Sequence, residues 1–333
     1  MLRLRRGTVT AITERVEGLV RLEVDGAPCM AYPGLTGPVA LGDEVIVNVE
    51  ARELGLGSGG FDVLHANLTR GLDLPGEPGA HVMKLPYTSL QHAVRHGEEE
   101  VELPSWEDAP ALLDGMPVVC CSLHSQVPPV CAALAGRRVA YVQVPGGALP
   151  VALSDVVREL KSRGLVRMTV GVGACFGGDV DCVNVYSALG VVREKGCEVA
   201  VCAVGPGIVG TASRLGHGAM AATDAAAAAS ALGGKAIVAL RISEADPRER
   251  HRGVSHHTDD VLSVRGGSVS LAWPVGYERE HPPDDGGELV DVSDWQEACA
   301  GLPLSHMGRG PDEDPWFFAA AFAAGRLADR LAG

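Results

Sequence analysis

Two textures of apolar pattern divide the chain. Up to about residue 68 the apolar runs are short, rich in Val, Leu and Thr, and separated by Gly and Pro turns. The runs at 3–12, 18–24, 28–32 and 45–49 predict β-strands. Gly42 and Asp43 turn the chain, and Val45, Val47 and Val49 then alternate toward one face, as in a small barrel of the OB or SH3 kind. From residue 117 the apolar runs become continuous. Those at 118–122, 139–144, 167–172, 198–204 and 235–242 read as strands, with a further one at 268–273. Helix-like stretches at 128–135, 154–162, 180–195 and 217–232 lie between them. Strands buried on both faces and joined by helices predict a parallel sheet. A last amphipathic helix is expected at 315–331, with Asp314 as its cap and Pro315 in its first turn.

The expected architecture is therefore α/β: a small N-terminal β-barrel-like domain (1–68), a connector (69–116), and a doubly wound, mainly parallel sheet with flanking helices (117–333). The connector holds a short predicted helix at 89–96, and residues 276–313, rich in Pro, Gly and Asp, are expected to be irregular.

Composition narrows the function classes. Aromatic residues are 4% of the chain, so Val, Leu, Ala and Ile must build the core by close packing. A formal net charge of -14 repels phosphate backbones and argues against nucleic acid as a partner. The barrel also lacks base-stacking aromatics. Nine cysteines without a C-x-x-C pair read as buried thiols in a reducing compartment. There is no signal-peptide pattern and no long apolar span, so a cytoplasmic protein with no membrane partner is expected. A homodimer is the default oligomer.

In an open parallel sheet, ligands bind outside the carboxyl ends of the strands. The segments following the predicted strands are where Gly and His concentrate. Gly173, Cys175, Gly178 and Asp179 follow the third. Gly205, Gly207, Gly210 and Thr211 follow the fourth and spell G-x-G-x-x-G. Such glycines let backbone N–H groups approach a phosphate or other anion. Equally, they make a tight turn that packs backbone on backbone. The motif departs from a dinucleotide site, because Thr211 to Gly216 separate it from the next helix and Pro206 removes a donor.

Asp246, Arg248, Arg250, His251, Arg252, His256 and His257 follow the fifth strand and form the densest chemistry in the chain. Arg248 or Arg252 suits an anion, and His suits acid–base work. His256 and His257, if on a strand, would point to opposite sides, so a metal site would draw on Asp246, His251 and His256. His217 opens the next helix and is expected to be neutral there. Asp179 or Asp246 would serve as its carboxylate, and Cys175 is a thinner nucleophile candidate. His81 and Lys84 are polar residues inside an apolar stretch.

Four stretches together resemble a bacterial family catalogued as domain of unknown function 3866. They are 81–88 (HVMKLPYT), 176–187 with Phe176, Asp179, Asn184 and Tyr186, 205–211 (GPGIVGT), and 251–257 (HRGVSHH). The resemblance covers nearly the whole chain and implies no activity. It also implies a His near position 175, where this chain has Cys175, so that position is not an obligatory catalyst.

Three functions stand open on the sequence. The first is a small-molecule enzyme that holds a phosphorylated or carboxylated metabolite at the glycine loops and moves protons with His217 or His256. The second is a metal-dependent hydrolase built on the 246–257 segment. The third is a non-catalytic ligand sensor or protein-interaction scaffold.

Overall fold

The computed structural model describes residues 2–55, 60–70, 73–105, 107–277 and 287–333. It divides into two compact units, Met1–Arg95 and His96–Gly333. The segment expected as a connector is thus split between them.

The first unit is a closed barrel. Strands β1 (Leu4–Val16), β2 (Leu19–Val24), β3 (Ala27–Ala31), β4 (Glu44–Asn48) and β5 (Asp62–Asn67) run in the order β1-β2-β3-β5-β4. Alternation dictates the interior: Val45 and Val47 of β4 point inward with Val9, Leu22, Cys29 and Leu64. Gly42 turns with a positive φ, and Asp43 secures the turn by accepting from the Ala40 backbone, Asn67 and Arg70. Two single-turn helices, α1 (Pro33–Thr36) and α2 (Glu50–Glu53), bridge strands. Residues 89–96 are not a helix. Strands β6 (Val82–Lys84) and β7 (His92–Val94) pair antiparallel there.

The second unit is an eight-stranded sheet in which every pairing is parallel. In chain order its strands are β8 (Pro117–Cys121), β9 (Val139–Val144), β10 (Met168–Val172), β11 (Val180–Cys182), β12 (Val199–Val204), β13 (Lys235–Ala239), β16 (Ser270–Pro274) and β17 (Gly287–Val290). Between the last three lies a small antiparallel pair, β14 (Ile242–Ser243) with β15 (Gly253–Val254). The spatial order is β11-β10-β9-β12-β8-β13-β16-β17.

Each central strand feeds two cores. Val118 and Cys120 of β8 face helices α5 (Val185–Glu194) and α6 (Ala221–Ala231). Val119 and Cys121 face α3 (Val127–Ala133), α4 (Asp155–Ser162) and α9 (Pro315–Leu331). Helix α7 (His256–Ser263) joins the first face and α8 (Trp295–Ala298) the second. The scarcity of aromatics shows in the helix contacts: a Cβ on Gly325 of α9 would sit 2.5 Å from the Val130 carbonyl oxygen of α3, an approach only glycine allows.

The chain leaves β8 across the α3 face but leaves β12 and β13 across the α6 and α7 face. Where loops depart to opposite faces, the carboxyl ends of neighbouring strands are the usual place for a ligand, and the candidate site lies there.

The expected helix at 180–195 begins late. Residues Val180–Cys182 form β11, reached from β10 by a connection too short for a crossover helix. The expected irregular stretch 276–313 contains β17 and α8, and its residues 278–286 lie outside those described.

Candidate functional site

The glycine loops use their missing side chains on one another. A Cβ on Gly205 would lie 2.2 Å from the Ala148 carbonyl oxygen, and one on Gly147 would lie 2.3 Å from that of Gly205. Ala148 N donates to Pro206 O, and Val209 N to Gly146 O. Gly207 takes a positive φ of 72°. Gly210 and His217 then pair as an antiparallel bridge, while Thr211 donates its backbone N–H to Gly216 O. The 205–217 loop is therefore stitched to the 145–148 loop and closed on itself, with His217 at its base. Gly205→Ala should destabilise the second unit by about 2 kcal/mol or more, because two carbonyl-lined backbones must part. Urea unfolding of the variant checks this, and an unchanged midpoint would show that the loops have room.

Asp179 is placed elsewhere. Its carboxylate accepts from Thr169 N at 2.8 Å and from Lys161 Nζ at 2.6 Å. Thr169 is the second residue of β10, so Asp179 sits at the amino edge of the sheet, not beside His217. Burial alone would raise its carboxyl, but Lys161 and Thr169 hold it below the usual range. Gly173 turns at φ 59°, and a Cβ on Gly178 would meet the Gly171 and Thr169 backbones at 2.9 Å; both belong to the same strand-to-strand connection. Cys175 has no exposed surface. His81 and Lys84 belong to the first unit.

At the carboxyl edge, β13 ends at Ala239 and the chain continues through Arg241 into β14. The excursion from Asp246 to Arg252 returns through β15, and Ser255 caps α7 by accepting from His257 N. Ser255 N donates to Arg241 O, and Arg241 N to Thr258 Oγ1, which fixes the start of α7 against the end of β13. His256 and His257 thus open a helix rather than lying on a strand. Successive helical side chains diverge by about 100°, not 180°, so both rings reach one side.

Four imidazoles meet there. His217 stacks on His257 with centroids 3.9 Å apart. His256 lies 4.5 Å from His257, and His251 4.6 Å from His256. Burial and the charge of Arg241 push His257 down to about 2 and His251 down to about 3, and burial also lowers His256. His251 and His257 are therefore neutral at pH 7.

Their partners set their tautomers. Arg241 Nη1 can only donate, and it lies 2.9 Å from His257 Nδ1, so the neutral ring carries its proton on Nε2. His256 Nδ1 donates to the Arg250 carbonyl oxygen at 3.1 Å, leaving a lone pair on Nε2. His217 Nε2 donates to Asp260 Oδ2 at 3.1 Å, and its buried Nδ1 meets no hydrogen-bond partner among the described residues. Asp260 is fully buried and also accepts from Arg214 at 2.7 Å. Burial would raise its carboxyl, but His217 and Arg214 outweigh that and hold it low.

Asp260, not Asp179 or Asp246, is the carboxylate behind His217. The sequence signal is His256-His257-Thr258-Asp259-Asp260: on a helix, Asp260 falls one turn below His256. Among the described residues, Asp246 makes no hydrogen bond to an imidazole. Its carboxylate accepts a bidentate fork from Arg248, both bonds 2.9 Å, and another bond from Arg309 at 3.3 Å. Arg248 is therefore spent on Asp246, and exposed Arg252 reaches the Asp246 carbonyl at 3.5 Å. The buried cation at the site is Arg241, which pattern reading passed over as one polar residue at the end of an apolar strand.

Ring nitrogens of His217, His256 and His257 lie within 4.8 Å of one another, close enough to suggest a metal. The tautomers limit that fit. With His217 neutral, its Nδ1 and His256 Nε2 offer lone pairs, whereas His257 Nε2 offers a proton, so two ligands are available rather than three. His251 donates from Nδ1 to Ser255 Oγ at 2.7 Å and takes Arg250 on Nε2, so it adds none.

No helix among the described residues is long and apolar enough to cross a membrane. No curated protein matches the chain. The family model of a protein of unknown function, DUF3866, matches residues 28–325, and the chain belongs to that family.

Proposed function

We propose that the chain is a bacterial, cytoplasmic small-molecule enzyme that moves a proton on an anionic metabolite at the carboxyl edge of its sheet. One observation carries the reading. His217 is buried, its Nε2–H is fixed on the Asp260 carboxylate, and its buried Nδ1, the lone-pair nitrogen whenever the ring is neutral, meets no hydrogen-bond partner among the described residues. A carboxylate behind an imidazole orients the base and stabilises the imidazolium that forms on proton uptake. His257 Nε2–H beside it supplies a donor, and His256 Nε2 a second acceptor. The site thus matches a substrate group that loses one proton and gains another. The nine cysteines, all free and buried, suit the reducing compartment assumed here. A homodimer remains the expected assembly.

Nitrogen-15 NMR of the histidine side chains tests this without a substrate. At pH 7, His217 and His257 should appear as Nε2–H tautomers and His256 as Nδ1–H. Asp260→Asn should remove the preference at His217 while leaving His256 unchanged. A His217 that stays Nε2–H in that variant would sink the dyad. The close approach of the three rings favours a divalent metal as second reading. Added Zn²⁺ that converts His257 to an Nδ1–H, metal-bound ring would put the hydrolase first.

A further inference from the structure

Arginine can hold a two-oxygen anion through one edge, formed by Nε and Nη2. Two arginines of this chain show the grip on both oxygens of one carboxylate. Arg52 grips Asp62 with Nε and Nη2 at 2.8 and 2.9 Å, and Arg248 grips Asp246 with both at 2.9 Å. Arg241 has the same edge and no such grip. Its Nη1 is occupied by His257, while Nε and Nη2 are buried and meet no hydrogen-bond acceptor among the described residues. The nearest carboxylate oxygen, Asp246 Oδ2, stands 3.6 Å from Nη2 and already accepts from Arg248 and Arg309.

The surroundings are short of negative charge. Among the described residues, the carboxylates that pair with Arg241, Arg248 and Arg309 are Asp246 and Asp314. Arg241 is 1% exposed, so water does not compensate it. Burial and the charge of Arg248 lower its guanidinium to about 9, which still leaves it a cation at pH 7. His306 adds a second unsatisfied group. Its ring stacks on Phe317 at 3.7 Å, its Nδ1 lies 3.3 Å from Ser125 Oγ, and its buried Nε2 has no partner among the described residues. The backbone of His306 pairs with that of Arg309, which fixes it beside the same arginine group. A buried fork without an acceptor costs free energy that a bound oxyanion would recover.

We infer that the Nε–Nη2 edge of Arg241 is the anion subsite, taking a carboxylate or phosphate group of the substrate side-on. The subsite is distinct from the glycine loops, whose backbones hold each other. It deepens the proposed function and rests on it for one point: the same guanidinium holds His257 through Nη1, so an anion on the Nε–Nη2 edge is coupled to the histidine group through Arg241.

The test uses the full chain with inorganic phosphate and with acetate, against sodium chloride at equal ionic strength. Thermal unfolding should shift upward in a saturable way with one of the two, and which one names the group. Arg241→Lys keeps a charge but loses the fork, and should weaken the response at least ~10-fold. Arg252→Gln, at an exposed position, should not. In case Arg241→Lys does not fold, the Arg241 Nε–H resonance of the unaltered protein gives the second reading and should move on titration. No saturable response to either anion, or a response that leaves that resonance in place, overturns the inference. His217→Gln separates the two ideas. Retained anion binding there leaves the subsite standing even if the proton-transfer reading has failed at His217.

Discussion

Asp246→Ala is expected to destabilise the second unit by about 3–5 kcal/mol, the usual cost of removing one partner from a buried ion pair. The side chain is fully buried and accepts from Arg248 through both oxygens, from the Arg248 backbone at 3.0 Å, and from Arg309. Burial would raise this carboxyl, but Arg248 overrides that and holds it well below the usual range. Without the carboxylate, Arg241 and Arg309 would stand close together with Asp314 alone to offset them. Asp246→Asn keeps the shape but loses the charge and should cost nearly as much. Trp273, Trp295 and Trp316 all belong to the second unit, so tryptophan fluorescence during urea unfolding reports on it. The outcome separates two roles for Asp246. A catalytic base could be removed with little change in midpoint, since active-site carboxylates are seldom what holds a fold together. An unshifted midpoint in Asp246→Ala would mean that the arginines find other partners, and it would reopen Asp246 as a proton acceptor.

The parallel sheet was readable because burial on both faces leaves no polar alternation. Val118 to Cys121 are apolar without a break, since both faces of β8 are covered. The bounds of helix α9 were readable because Pro315 and the Phe and Ala stripe agree; Asp314 holds the N-cap position, but its carboxylate accepts from Ser243 and Arg309 instead of capping the helix. What failed were short elements and pairs brought together from distant parts of the chain. Residues Val180–Cys182 form too brief a strand to show a period, and their loss to a predicted helix put Asp179 at the wrong edge. His256 and His257 were weighed by strand geometry, which sends adjacent side chains to opposite sides, and they open a helix instead. The Ser255 cap and the carboxylates at 259 and 260 are the helix signal. The G-x-G-x-x-G spelling was accurate as letters, but glycine spacing does not say whether a ligand or another backbone fills the space. In this fold the 145–148 loop occupies it. His217 and Asp260 are 43 positions apart, and only the β12 to α7 path brings them within a hydrogen bond.

Acid should unfold the second unit at a higher pH than carboxylate protonation alone would explain. Burial pushes His124 down to about 4, His251 and His306 to about 3, and His257 to about 2. Arg241 adds to the lowering of the last three by its charge. In the unfolded chain each would titrate near 6.5. Between those values the unfolded state binds more protons than the folded one, so stability rises with pH through this window and falls on acidification. By pH 5 each ring that must stay neutral costs about 2 kcal/mol. Several such rings consume most of the ~5–15 kcal/mol that holds a domain folded. The expected midpoint therefore lies at about pH 4–5, before most carboxylates are protonated, with uptake of more than one proton per molecule. His306→Gln removes one of these sites and should move the midpoint to lower pH, while His65→Gln, in the barrel, should not move the fluorescence transition. A midpoint below about pH 3 would show that the imidazoles take up protons inside the folded protein. The tautomers assigned to His257 and His256 would then hold only above the pH at which that uptake occurs, and the proton-transfer reading would have to be tested there.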